Sequence, residues 1–306
     1  MQIRYVKLHF TIRMTDDFIL PRNKASALRG GMGEMLLRMH CIRDRKCETC
    51  DFESECLVRR TLYSRMDIQP AFMSKGDSVG YVIECENEKE SFAKGDELCF
   101  NLLLFGKTIV YFSQFLQAFH QLGVHGLGKY KAKFSISRIT NTLGKDILDG
   151  SDIYMKNVEV MRLAEYISYR KEKLENEGET YRLRIVLRSP LTMKYRGTLL
   201  DSFDMEAFMQ ACARRVFMIN CFEGNGTEQT DLSGHIPQLI AQESRHASVR
   251  RYSSTHDEKI RLEGFYGHSD IEKVDETALE LLIAGELLHV GKNTSFGFGR
   301  YRVVQI

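Results

Sequence analysis

The chain has 306 residues, 43% of them hydrophobic, enough to bury a sizeable core; the size prior is about two domains of about 150 residues each, and disorder is excluded as the default. Its net charge of +2 is too mild to establish a polyanionic partner, so the arrangement of charge has to carry that argument. No stretch approaches the ~20 apolar residues that span a bilayer and the N-terminus lacks an apolar signal core, so the expectation is a cytoplasmic protein without a membrane partner.

Residues 2–14 alternate apolar and polar side chains, which predicts a strand. After Pro21 the run 25–39 changes to helical spacing, with Leu28, Met32, Met35, Leu36 and Met39 on one face. Apolar runs at 79–85 and 98–105 read as strands, 109–122 as a helix and 130–140 as a closing strand. That order is βαββαβ, a ferredoxin-like unit. Residues 141–179 read as a connection with a charged helical stretch near 160–175. The order then recurs more loosely as strand 181–188, helix 204–221, strand 259–267, helix 275–284 and closing strand 299–305. The expected fold class is α+β, with tandem ferredoxin-like domains at 1–140 and 180–306 and a Cys-rich knuckle at 41–56 inserted in the first. A duplication also explains why Gly126 to Tyr130 and Gly297 to Tyr301 share the pattern G-x-G-basic-Tyr, each just before the last strand of its half.

The segment from His289 to Tyr301 packs glycines, cations, aromatics and hydroxyls into thirteen residues. Glycine lets backbone approach a phosphate, Lys292 and Arg300 can neutralise it, Ser295 can hydrogen-bond it, and Phe296 can stack on an unpaired base. A glycine-rich hairpin with its phenylalanines in the core is the structural alternative. Charge is segregated elsewhere too. Residues 181–200 carry Arg182, Arg184, Arg188, Lys194 and Arg196 without an acid, and 245–261 carry Arg245, His246, Arg250, Arg251, Tyr252, His256, Lys259 and Arg261 against Asp257 and Glu258. Because phosphate contacts supply most of the affinity for RNA, Lys194 to Arg196, Arg250 to Tyr252 and Lys292 to Tyr301 are expected to converge, with Lys129 as the corresponding cation of the first half.

Cys41, Cys47, Cys50 and Cys56 give C-x5-C-x2-C-x5-C directly after the first helix. In a reducing compartment such clustering favours metal over disulfides, and four thiolates close a tetrahedral shell. A structural zinc is the expected cofactor; an iron–sulfur cluster would use the same ligands. Cys85, Cys99, Cys212 and Cys221 lie in apolar or helical contexts and read as core fillers.

Leu28-Arg29-Gly30-Gly31-Met32-Gly33 opening the first helix, the cysteine knuckle behind it, Arg251-Tyr252-Ser253 before a Gly-Phe-Tyr-Gly strand end, and the segment from His289 to Tyr301 together resemble the CRISPR-associated precursor-crRNA processing endoribonucleases of the RAMP superfamily. The resemblance implies a tandem RAMP/RRM-like fold that binds a CRISPR repeat RNA and cleaves it once. It further implies attack of the RNA's own 2′-hydroxyl on the adjacent phosphate without a catalytic metal, leaving a 2′,3′-cyclic phosphate. A base, an acid and a cation are then required; His40, where the first helix ends, and His289, beside Lys292, are the candidates. The sequence holds no tight Asp/Glu cluster of the two-metal kind, which fits. His246 is expected to contact RNA rather than to transfer protons. The alternative is a non-catalytic RAMP subunit that holds crRNA in a CRISPR effector complex, and the protein is expected as a monomer or homodimer.

Overall fold

The structure, a computed structural model, describes all residues except 67–68, 71–72, 74–77, 176–177, 227 and 254–257, with backbone alone at 251–253 and 258–259. The chain forms two compact units, Arg4–Val160 and Met161–Ile306, the second joined by Met1–Ile3.

In the first unit the alternating segment becomes β1 (Arg4–Met14), whose inward side chains Leu8, Phe10 and Ile12 are fully buried. A short β2 (Phe18–Ile19) precedes helix α1 (Lys24–His40), which starts where Asn23 accepts a hydrogen bond from the Ser26 amide at 3.1 Å. Helix α2 (Leu57–Thr61), strands β3 (Tyr81–Glu84), β4 (Ser91–Phe92) and β5 (Glu97–Phe105), helix α3 (Phe112–His125) and strands β6 (Phe134–Thr140), β7 (Asp146–Asp149) and β8 (Asp152–Ile153) follow. The sheet runs β3-β5-β1-β6-β7-β8 with antiparallel neighbours. Its main strands therefore stand second-third-first-fourth. Phe10 stacks on Phe100 at 4.9 Å between ring centres, and Phe119 of α3 closes over Phe100 at 5.0 Å. The glycines of α1 explain how tightly the helices pack: a Cβ on Gly31 would lie 2.5 Å from Leu122 of α3, and one on Gly33 would lie 3.1 Å from Leu62.

The second unit begins with β9 (Met161–Arg162) and α4 (Leu163–Lys171), then β10 (Tyr181–Leu187), the hairpin β11 (Lys194–Tyr195) and β12 (Thr198–Leu199), α5 (Met205–Glu223), β13 (Gln238–Ser253), β14 (Glu258–Val274), α6 (Glu276–Leu288) and β15 (Tyr301–Gln305). Its sheet runs β13-β14-β10-β15, again antiparallel and second-third-first-fourth. Asp204 and Asp275 cap α5 and α6 by accepting from the amides of Ala207 and Ala278 at 2.9 and 2.8 Å.

The α+β class holds, with two differences from the sequence reading. The 16-residue strand β13 was absent from it, because QLIAQESRHASVRRYS is polar on both faces and lacks the period-2 signal; only pairing with β14 makes it a strand. Residues 141–179, expected as a connection, are divided instead: β7 and β8 extend the first sheet, and α4 belongs to the second unit. No helix among the described residues is long and apolar enough to cross a membrane.

Candidate nucleic-acid interface

The turn between α6 and β15 is built by backbone conformations that few side chains tolerate. His289, Gly291, Asn293, Gly297 and Gly299 have φ of 58°, 80°, 63°, 82° and 70°. A Cβ on Gly299 would sit 1.7 Å from the Val290 carbonyl, and one on Gly291 would sit 2.5 Å from the Thr192 carbonyl, so glycine is required at both. The turn is sewn to the segment after β10: Lys292 N–H donates to Thr192 at 2.8 Å, Gly299 N–H to Pro190 at 2.8 Å, and Arg188 N–H to Arg300 at 2.8 Å. Two basic stretches far apart in sequence thus adjoin in space. Arg188, Lys194 and Lys292 are exposed, and their side chains form no ion pair among the described residues. Arg300 is half-buried.

The long β13–β14 ribbon is tied to the same segment, since Leu191 exchanges backbone hydrogen bonds with Phe265 at 2.8 and 3.0 Å and Thr192 Oγ1 donates to Glu263 at 2.6 Å. Further along it, Arg250 stands directly opposite Arg261. Like charges so placed repel, and an anion between them removes the cost. Arg261, part of the basic stretch but not singled out from it by the sequence, is placed opposite Arg250 only by β13; its Nε also lies 3.9 Å from Glu263 Oε1. His246 lies against Glu263, Nε2 to Oε2 2.9 Å, so a carboxylate shares its place on the ribbon. Arg251 and Tyr252 pair with Ile260 and Lys259 by backbone, but their side chains, and all of His256, lie outside the described residues.

Other expected contacts fall differently. Phe298 and Tyr301 are buried and Phe296 is half-buried, so two of the segment's three aromatics belong to the core. Ser295 is buried, which removes its hydroxyl from the exposed edge. Arg196, exposed on the β11–β12 hairpin, lies over the Tyr195 ring and 3.8 Å from Glu206. His289 needs correction as a catalytic candidate: it has no exposed surface, and its Nδ1–H donates to the Phe298 carbonyl at 2.9 Å. An enclosed imidazole orders the turn and offers no path to a phosphate. Lys292, its proposed cationic neighbour, remains exposed.

In the first unit the related turn again has positive φ at both glycines, 91° at Gly126 and 71° at Gly128, but Gly126 has ψ 139° where Gly297 has 9°, and its tyrosine differs. Tyr301 is buried, donating to Leu282 at 2.6 Å, whereas Tyr130 is exposed beneath the Lys129 ammonium, 5.2 Å from its ring centre. Tyr130 lines an open cleft with Phe18, Phe92, Lys89, Asp17 and Asp96. That mixed charge gives Lys129 weaker standing as a phosphate contact than the lysines of the second unit. His40 ends α1 half-buried; burial lowers its pKa from the ordinary imidazole value, and its Nε2 is buried with no hydrogen-bond partner among the described residues. Cys41, Cys47, Cys50 and Cys56 are free thiols of intermediate burial, and no group of three or more His, Cys, Asp or Glu among the described residues is arranged as a ready metal site.

Two family models match the chain: AF_1859_N, an N-terminal domain, over residues 3–165, and the CRISPR-associated endoribonuclease Cas6 over residues 185–301. An uncharacterized protein of Archaeoglobus fulgidus is 24% identical over 297 residues, covering 94% of this chain and 93% of its own. Among solved structures, a partial Cas6-RT-Cas1–Cas2 complex aligns with a TM-score of 0.60 at 11% identity, covering all of this chain, which spans 46% of that one. Two Cas6 product complexes align with TM-scores of 0.55 and 0.52 at 13% and 14% identity, covering 98% and 99% of this chain and 100% of each of theirs. At these identities the structural likeness is one of fold.

Proposed function

We propose, from the premise that the chain belongs to the AF_1859_N family and carries a CRISPR-associated endoribonuclease Cas6 domain in its second half, that it binds a CRISPR repeat RNA and cuts it once by transesterification. The carrying observation is the joining of residues 188–194 to 291–300, which puts exposed Arg188, Lys194 and Lys292 on adjoining segments within the Cas6-matched region. We read each unit as ferredoxin-like, on the strand order the two share. The β13–β14 ribbon, with Arg250 opposite Arg261, extends the polyanion-binding surface.

In the reaction, a base takes the proton of the 2′-hydroxyl as its oxygen bonds to phosphorus. The bond to the 5′-oxygen breaks, and an acid protonates that leaving oxygen. The products are a 2′,3′-cyclic phosphate and a 5′-hydroxyl, formed with no metal in the step. His40 is assigned one proton-transfer role because the resemblance puts a catalytic histidine at the end of the first helix; its Nε2 is buried and has no hydrogen-bond partner among the described residues, so the assignment requires RNA binding to uncover it. Lys292, on the basic turn of the second unit, is assigned to the RNA backbone. Repeat RNA incubated with the purified protein in EDTA should be cut once, with those product ends. His40→Ala should slow the cut by about a hundredfold or more while binding persists.

A second reading is favoured by the burial of His289, which leaves the basic turn of the second unit without an accessible histidine of its own. On it the protein is a non-catalytic subunit holding crRNA in a CRISPR effector complex. Tight binding with RNA left intact by both parent and variant would select that reading.

A further inference from the structure

The segment 41–56 is ordered without a core. Within it no side chain is buried; Ile42 and Phe52, its two large apolar residues, are exposed, and the half-buried positions are Cys41, Cys47, Cys50, Cys56 and Glu53. Each cysteine also occupies a structural joint. Cys41 caps the C-terminus of α1, Cys47 opens a single 3-10 turn that Cys50 closes, and Cys56 caps the N-terminus of α2. Amide donors hold this shape, from Cys50 to Cys47 and Glu53 to Cys50, and Arg60 back to Cys56. The visible side-chain ties, such as Arg43–Asp51 and Lys46–Asp44, are exposed ion pairs that contribute little.

We propose that these four cysteines form a structural zinc site, which the knuckle uses in place of an apolar core. The physical reason is that a coreless insertion must be cross-linked to hold one shape, and the inward positions supply four soft ligands and nothing else suited to that task except Glu53. Four thiolates are the donor set zinc takes in structural sites; the described residues hold no ready cluster of three such ligands, so the proposal requires metal binding itself to draw the sulfurs together. Arg59, three residues after Cys56, is ion-paired to Glu53 at 3.0 Å, so a cation stands at the edge of the knuckle to offset part of the negative charge of such a shell. Since Cys41 directly follows His40, the metal would also fix the end of α1; that consequence, unlike the site itself, rests on the functional reading above.

The test is metal analysis of the full chain by mass spectrometry after growth with zinc and iron both supplied. About one zinc per chain is expected, releasable by mercurial modification of thiols. Cys47→Ser and Cys50→Ser should each bring zinc down to background, while Cys99→Ser, an exposed cysteine outside the knuckle, should leave it unchanged. If the serine variants do not fold, mercurial titration of the parent protein decides, with zinc released as thiols of the knuckle react. A parent protein free of zinc, zinc retained in both knuckle variants, or iron with inorganic sulfide in its place would each overturn the proposal. None of these readouts depends on RNA cleavage, so a zinc-loaded protein that leaves RNA intact would sink the nuclease reading alone.

Discussion

Replacing Glu286 should unfold the second unit's attachment of α4 more severely than any surface change. Its carboxylate, 1% exposed, accepts from Arg170 Nε at 2.9 Å and Nη2 at 3.1 Å, from the Tyr166 hydroxyl at 2.9 Å, from the Val303 amide at 2.5 Å, and more distantly from Arg302 at 3.4 Å. Arg170, 5% exposed, gives its remaining bond to the Val303 carbonyl at 2.8 Å. Burial works against the Arg170 charge, and the carboxylate more than restores it, so its pKa lies above the ordinary arginine value. Burial and the same carboxylate hold the Tyr166 hydroxyl far above its own. Glu286→Ala leaves a buried guanidinium without its counter-charge, a loss of about 3–5 kcal/mol. At a urea slope of about 2 kcal/mol per molar, the unfolding midpoint should fall by about 2 M. Because the chain has no tryptophan, far-ultraviolet circular dichroism is the probe. Removing both charges, as Arg170→Met with Glu286→Met, should recover part of the loss, since no isolated charge remains. A midpoint shift under about 0.5 M for Glu286→Ala would refute the view that this pair is desolvated and coupled.

Lys194→Ala and Lys292→Ala should each lessen the slope of log affinity against log salt by about 0.7 to 0.9 if each lysine meets one phosphate, and an unchanged slope in filter-binding titrations removes that lysine from the interface. Gly299→Ala should destabilise by about 2 kcal/mol or more, because its Cβ would collide with the Val290 carbonyl in addition to the left-handed strain. Gly197→Ala, at φ 84° with open space around it, should cost only the strain, about 1 kcal/mol; equal effects in thermal melts would show that the close approach at Gly299 does not matter.

Much of this protein was legible in one dimension. Period-2 alternation in 2–14 and helical spacing in 25–39 became β1 and α1 within a residue or two, because burial on one face selects side chains whatever the rest of the chain does. The glycines of the last turn were visible, but whether they served a phosphate or the hairpin itself was open; the Val290 and Thr192 carbonyls beside Gly299 and Gly291 show that the turn's own packing requires them. What the tertiary structure decided was partnership and exposure. Strand β13 has no apolar period and exists through its ladder to β14, so the facing of Arg250 and Arg261 could not be read beforehand. His289 and Lys292 stand three residues apart in the same turn, yet one is enclosed against Phe298 and the other faces water. Composition names the groups that could do chemistry, whereas burial, which is set by residues distant in sequence, determines which of them a polyanion can touch.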